Sequence, residues 1–362
     1  MPAAERGRDP LTRRCHPASR TRLVTRHWSR LLLALLITVT IGGWAPSLRD
    51  PSSGYQLLDS QMSAVGSDRV PQTIGPVVDV VDGATGRPLV AERAYEKHAI
   101  GSLTKLMTVE LAVRHLPLDR IITINQQAAS EPGSTMWLEA GDRVSVRSLL
   151  YGALIPSGND AAEALALAVA GTERRFALMM NREAKAFGLQ CSHYVTPHGL
   201  DAPNEYSCAE DVAHMTRIVL RTPLLSRIVA TKHIVVPSAQ KGLDFNLVNT
   251  NLLLGNYPGI IGVKTGTTDA TGAAVSAAAR RNGHVVIAVV LGSTDFGRFS
   301  DAASLLTFAF DDYTWPSNED TMWSTESLMR HRRDATAPIP QWELPWITVN
   351  RGGYVDAPYD PR

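Results

Sequence analysis

Residues 260–291 read IIGVKTGTTDATGAAVSAAARRNGHVVIAVVL, and this stretch decides the fold. Ile260–Val263 is a short apolar run with strand character, and Ala273–Ala279 and His284–Leu291 are two more. Asn282-Gly283 joins the last two, and that dipeptide supplies the positive φ angles a tight two-residue hairpin needs. Antiparallel pairing is therefore predicted here. Moving outward, Ser300–Phe310 predicts a closing amphipathic helix. Far upstream, Val77–Val81 and Pro88–Ala91, with Asp82-Gly83 at the turn, predict another hairpin. Between them lie helical runs at Ser102–His115, Val146–Ile155, Asp160–Ala170 and Glu173–Phe187, with Ile121–Ile124 extended. Ser207-x-x-Glu210 has the form of a capping box opening a helix through Val219. Strands at both ends and helices in the middle give an α+β chain whose distant parts close one antiparallel sheet.

Composition narrows the function. The chain has 362 residues, 44% hydrophobic and 20% charged, which is ample for a folded core. Its net charge of +1 is unevenly spread. Residues 1–30 carry eight Arg against Glu5 and Asp9, a balance of +6 that leaves the rest at −5. A body of that sign has no electrostatic case for binding nucleic acid. The basic stretch runs into the uncharged Leu31–Gly43, closed by Trp44, Ala45 and Pro46. At about 15 residues this fits a secretory signal or signal anchor better than a full span. Residues 1–46 thus read as an export segment, 47–74 as a linker, 75–313 as the main folded domain and 314–362 as a Pro-broken tail. Whether the signal is cleaved or tethers the protein to a membrane stays open. Of three Cys, Cys15 lies before the hydrophobic run; Cys191 and Cys208 suit either a disulfide or two free thiols. No Cys-His cluster has metal spacing, and no cofactor is implied.

Three short motifs carry chemistry. Lysine is scarce, six of the 36 basic residues, and Lys105 follows Ser102 by one helical turn. That spacing puts amine and hydroxyl on one face, where a neutral amine can take the Ser proton and make a nucleophile. A helix cap with a surface lysine is the plainer alternative, and Ser238-x-x-Lys241 illustrates it: flanked by Pro237 and Gly242, it is a turn. Ser157-Gly158-Asn159 between two helices is either an ordinary connection or a hydroxyl and amide projecting toward a substrate. Lys264-Thr265-Gly266, at the end of the Ile260–Val263 run, offers a cation and a hydroxyl beside a residue with no side chain. That suits a strand along which a carboxylate-bearing substrate lies; an ordinary Gly turn is the alternative.

Taken in order, Ser102…Lys105, Ser157…Asn159 and Lys264…Gly266 match the triplet of penicillin-binding proteins and class A β-lactamases. The chain resembles the low-molecular-weight penicillin-binding proteins, the serine D-alanyl-D-alanine carboxypeptidases. The likeness extends to Ser134–Gly141, Pro156–Ala162, Pro197–Asp201, Gly262–Thr268 and Thr271-Gly272. It implies a β-lactamase/penicillin-binding-protein-like transpeptidase fold, an antiparallel sheet with a helical subdomain. It also implies an exported enzyme that removes the terminal D-Ala from peptidoglycan stem peptides ending in D-Ala-D-Ala, with β-lactams as covalent inhibitors. Ser102 would be the nucleophile and Lys105 its base, held neutral by the nearby cation of Lys264. Ser157 and Asn159 would relay a proton and orient substrate. Lys264 and Thr265 would bind the terminal carboxylate beside Gly266, and the N–H groups of Ser102 and Thr267 would form an oxyanion hole. His198 would hold a loop. A D,D-endopeptidase uses the same residues. A β-lactamase is disfavoured by Ser-Gly-Asn and by the lack of a Glu-x-x-Leu-Asn segment, and a non-catalytic wall-binding module by the intact motif residues.

Overall fold

The computed structural model describes residues 70–311 except 241; the expected export segment, most of the linker and the tail lie outside the described residues. A five-stranded antiparallel sheet forms the centre. Its strands are β1 (Val77–Asp82), β2 (Pro88–Glu92), β7 (Ile260–Thr268), β8 (Gly272–Arg281) and β9 (His284–Ser293), in the order β2-β1-β9-β8-β7. The hairpin at Asn282-Gly283 forms as its dipeptide requires: Asn282 takes φ 49° and Gly283 φ 85°, and Arg281 pairs with His284. The N-terminal hairpin then docks β1 along β9, with Val77 opposite Leu291 and Asp82 opposite Val286.

Both faces of the sheet are covered, which is why β8 and β9 read as nearly unbroken apolar runs. Val275, Ala277 and Ala279 with Val286, Ala288 and Val290 face one C-terminal helix, Gly297–Asp311, through Phe299, Ala302, Leu305 and Leu306. The alternate residues Ala274, Ala278, Ile287, Val289 and Leu291 face the helical region. That region holds α1 (Lys105–His115), α2 (Gln126–Ala129), α3 (Val146–Leu154), α4 (Asn159–Ala170), α5 (Glu173–Ala186), α6 (Ala209–Arg221) and α7 (Pro223–Val229); the C-terminal helix is α8. Two small ribbons complete the fold, β3 (Ile121–Thr123) with β4 (Arg143–Ser145), and β5 (His233–Pro237) with β6 (Asp244–Val248).

Two expectations are corrected. Lys264-Thr265-Gly266 does not end a strand: β7 continues to Thr268, so the motif lies within the edge strand. The Ser207–Glu210 capping box does not form. Cys208 occupies the N-cap of α6, and the Ser207 hydroxyl instead meets Ser192 Oγ at 2.7 Å. Cys191 and Cys208, left open above, are bonded as a disulfide with Cα atoms 5.8 Å apart. Ser238–Gln240 lies in the turn after β5, where Ser238 Oγ and Ala239 N donate to Arg143 O. None of the helices among the described residues is long and apolar enough to cross a membrane.

Candidate active site

The site forms where the first helix meets the edge strand. Gly101–Thr104 is a 3-10 turn that leads directly into α1, so Ser102 sits on the tight turn and Lys105 opens the helix. Gly266 is what lets this turn lie against β7. A Cβ there would stand 2.6 Å from Ile100 O, closer than packed atoms allow, and 3.2 Å from Ser102 N, a tight contact. From the other side, a Cβ on Gly101 would reach to 3.2 Å from Thr267 N. The backbone N–H groups of Ser102 and Thr267 therefore share one seam.

Lys105 Nζ lies 2.7 Å from Ser102 Oγ, 2.6 Å from Asn159 Oδ1 and 2.9 Å from His198 O. The side chain is fully buried, and burial pushes its amine down to about 7 against the opposing pull of Asp160, Glu205 and Glu131. Lys264 is buried beside it, and burial, then the Lys105 and Arg298 cations, push its amine well below the ordinary lysine range; the repulsion between the two amines is mutual, so each disfavours the other's charge.

The turn between α3 and α4 brings the second motif in. Ser157 holds φ 67°, a left-handed conformation rare for a residue with a side chain, and its Oγ accepts from Lys264 Nζ at 2.7 Å. Asn159 is fixed at both ends of its amide, since Nδ2 donates to Pro132 O at 2.5 Å. Asp160 locks the segment beyond it: its carboxylate accepts from Thr135 Oγ1, Met136 N, Leu138 N and Ala161 N. Lys264 Nζ also donates to Thr265 O at 2.9 Å, and Thr265 Oγ1 lies 2.6 Å from Thr250 Oγ1.

All of the sequence-predicted residues thus meet on one wall or its facing turn. His198 joins them through its backbone, while its ring binds Glu131 at 2.9 Å and holds the loop. Glu163, Glu173 and His198 bring ligand atoms within 4.8 Å of one another, and reach Lys105 only through the His198 carbonyl.

Sequence reading missed Arg298. From the start of α8 it donates through one guanidinium nitrogen to Gly266 O (2.9 Å) and Thr267 Oγ1 (2.6 Å), while its buried Nε has no partner. Nothing local marks it among 30 arginines. Thr250 was missed for the same reason.

The comparisons agree with this geometry. Residues 73–295 match the family described as D-alanyl-D-alanine carboxypeptidase. The chain is 33% identical over 294 residues to D-alanyl-D-alanine carboxypeptidase DacF of Bacillus subtilis, covering 78% of this chain and 72% of that one. With DacC of Escherichia coli it shares 35% over 267 residues, 69% of this chain and 65% of that one. A Streptomyces DD-transpeptidase crystal structure superposes with a TM-score of 0.64 at 31% identity, covering 67% of this chain and 99% of the other. DacD of Francisella tularensis gives 0.64 at 30%, covering 68% and 73%. The family match over residues 73–295 and these relatives, in a chain whose Ser102 hydroxyl lies 2.7 Å from a buried lysine amine, place it in the D-alanyl-D-alanine carboxypeptidase family of serine hydrolases.

Proposed function

We propose that the protein is an exported serine D,D-carboxypeptidase that cleaves the terminal D-Ala from peptidoglycan stem peptides through an acyl-enzyme on Ser102, and that penicillin acylates the same residue. The observation that carries this reading is the 2.7 Å contact between Ser102 Oγ and a buried Lys105 amine whose pKa lies at about 7. A neutral amine has two N–H bonds and one lone pair. Asn159 Oδ1 and His198 O, both carbonyl acceptors, take the two hydrogens, so the lone pair faces the Ser102 hydroxyl. Lys105 accepts that proton as Oγ attacks the penultimate D-Ala carbonyl, and the N–H groups of Ser102 and Thr267 bind the developing oxyanion.

Ser157 Oγ accepts from Lys264, so its own hydrogen can pass to the departing D-Ala amine, and the proton that Lys105 took from Ser102 replaces it, which restores both the Ser157 hydroxyl and the neutral Lys105 amine. Lys264, Thr265 and Arg298 line the strand edge on which the terminal carboxylate binds. An arriving carboxylate restores the Lys264 charge that burial suppresses, while Arg298 supplies a cation that does not titrate. Water then hydrolyses the acyl-enzyme. Action outside the cytoplasm is supported by the Cys191–Cys208 disulfide, a bond of oxidising compartments, and by the basic and apolar N-terminal sequence.

Incubation with a peptide ending in D-Ala-D-Ala tests the activity. Free D-Ala is expected, and its absence would refute the carboxypeptidase reading. Cross-linked dimers run in parallel separate hydrolysis at the chain end from endopeptidase cleavage of the bridge.

A further inference from the structure

Three carboxylates act on Lys105: Asp160 on α4, Glu131 on the loop after α2, and Glu205 on the segment before α6. Two are committed elsewhere. Asp160 caps its own segment with four donors, and Glu131 pairs with the His198 ring. Glu205 is arranged differently. Its Oε1 accepts from Thr104 Oγ1 at 3.1 Å, and Thr104 is the residue between the Ser102 turn and Lys105. Its Oε2 accepts from Thr196 N at 2.9 Å and Thr196 Oγ1 at 2.8 Å. Thr196 Oγ1 in turn accepts from Gly199 N, which closes the loop whose His198 carbonyl holds Lys105. That loop lies so close to the turn that a Cβ on Gly199 would fall 1.9 Å from Gly101 O.

We infer that Glu205 is a positioning residue for the catalytic base: it joins the nucleophile turn to the loop beneath Lys105 and places a negative charge that favours the ammonium formed when Ser102 loses its proton. Besides the three carboxylates, the Lys264 amine couples to Lys105, and Tyr194 faces Glu205. Burial raises the Glu205 carboxyl to about 7, the same range as the amine. Opposite charge nearby raises an amine's affinity for its proton, which returns a desolvated lysine to the range useful to a base near neutrality.

The inference rests on the roles proposed for Ser102 and Lys105, and penicillin acylation tests both separately. In the wild type, the second-order acylation rate rises with pH along a limb set by Lys105. In Glu205→Gln, the limb is expected about half a unit or more lower, so acylation at the wild-type midpoint rises about 1.5-fold or more relative to its own plateau. The plateau itself falls severalfold, because a Gln amide that keeps both Thr196 donors on its oxygen turns its NH2 toward Thr104 Oγ1, which loses its acceptor. Glu205→Asp, which keeps the charge, returns the limb to the wild-type pH. Thr104→Val removes one hydrogen bond and keeps the charge, so it lowers the plateau and leaves the limb in place. An unmoved limb in a folded Glu205→Gln protein, or a limb that moves equally in Thr104→Val, would overturn the inference. A wild type that penicillin does not acylate would overturn the proposed function instead.

Discussion

At the scale of single residues, the account turns on which atoms surround one amine. Removing the nucleophile leaves its packing partners in place, so Ser102→Ala is expected to keep its melting temperature within about 1 °C while losing all acylation. A large drop in melting temperature would show instead that the hydroxyl is structural. Gly266 makes a stricter test of geometry, because a single methyl group there must push Ile100 O and the Ser102 N–H away from β7. Displacement of reacting groups by about 1 Å costs on the order of a hundredfold in rate, so Gly266→Ala is expected to lower kcat/KM by about that factor with little change in secondary structure. Unchanged kinetics in Gly266→Ala would separate the seam from the chemistry. Ser102 and Lys105 were legible in the sequence because their contact is one helical turn long. Arg298 was not, since it reaches Thr267 across 31 residues and belongs to the commonest basic residue type of the chain. Glu205 escaped similarly: its partners lie on two other segments.

At the scale of elements, the loop closed by Cys191 and Cys208 carries Thr196, His198 and Glu205, and so sets the floor of the site. Its anchor is doubled by Asp211 of α6, which accepts from Gln190 N, Cys191 N and Ser192 Oγ. A disulfide closing a loop of this size contributes about 3 kcal/mol. The double variant Cys191→Ser, Cys208→Ser is expected to melt several degrees lower and to lose rate before it unfolds; equal stability in both forms would contradict that role. Asp79 on β1 is a second element-level feature. It is buried, its Oδ2 has no hydrogen-bond partner, and burial raises its carboxyl from 3.8 to about 7. The folded state thus keeps a proton that the unfolded chain releases, so this group costs stability as pH rises from about 4 to about 7 and at full charge thereafter. Asp79→Asn is expected to raise the melting temperature by about 3 °C or more at pH 8 and to change it little at pH 4. An equal change at both values would remove the charge from the explanation. The hairpin at Asn282-Gly283 was readable from two residues, whereas the β5–β6 ribbon was not. Its exposed alternate positions and the connecting sequence Ser-Ala-Gln-Lys-Gly resemble a loop.

At the scale of the whole molecule, chain order and spatial order differ in an informative way. Strands from both ends of the described region close the sheet, and the helices between them supply the wall facing its edge. The order of elements, strands at both ends and helices between, predicted that closure, and the structure covers both apolar faces of β8 and β9. That order did not show that the third motif lies inside a strand. Glycine at 266 reads as a strand breaker until the approach of Ile100 O explains it as a gap left for the Ser102 turn. The central claim, that these separated motifs make one lysine-activated serine, is tested most directly by mapping the adduct after penicillin treatment. Peptide-resolved mass spectrometry is expected to find one penicilloyl group, on Ser102, absent from Ser102→Ala and strongly reduced in Lys105→Gln. An adduct on another residue, or full labelling of Lys105→Gln, would contradict it.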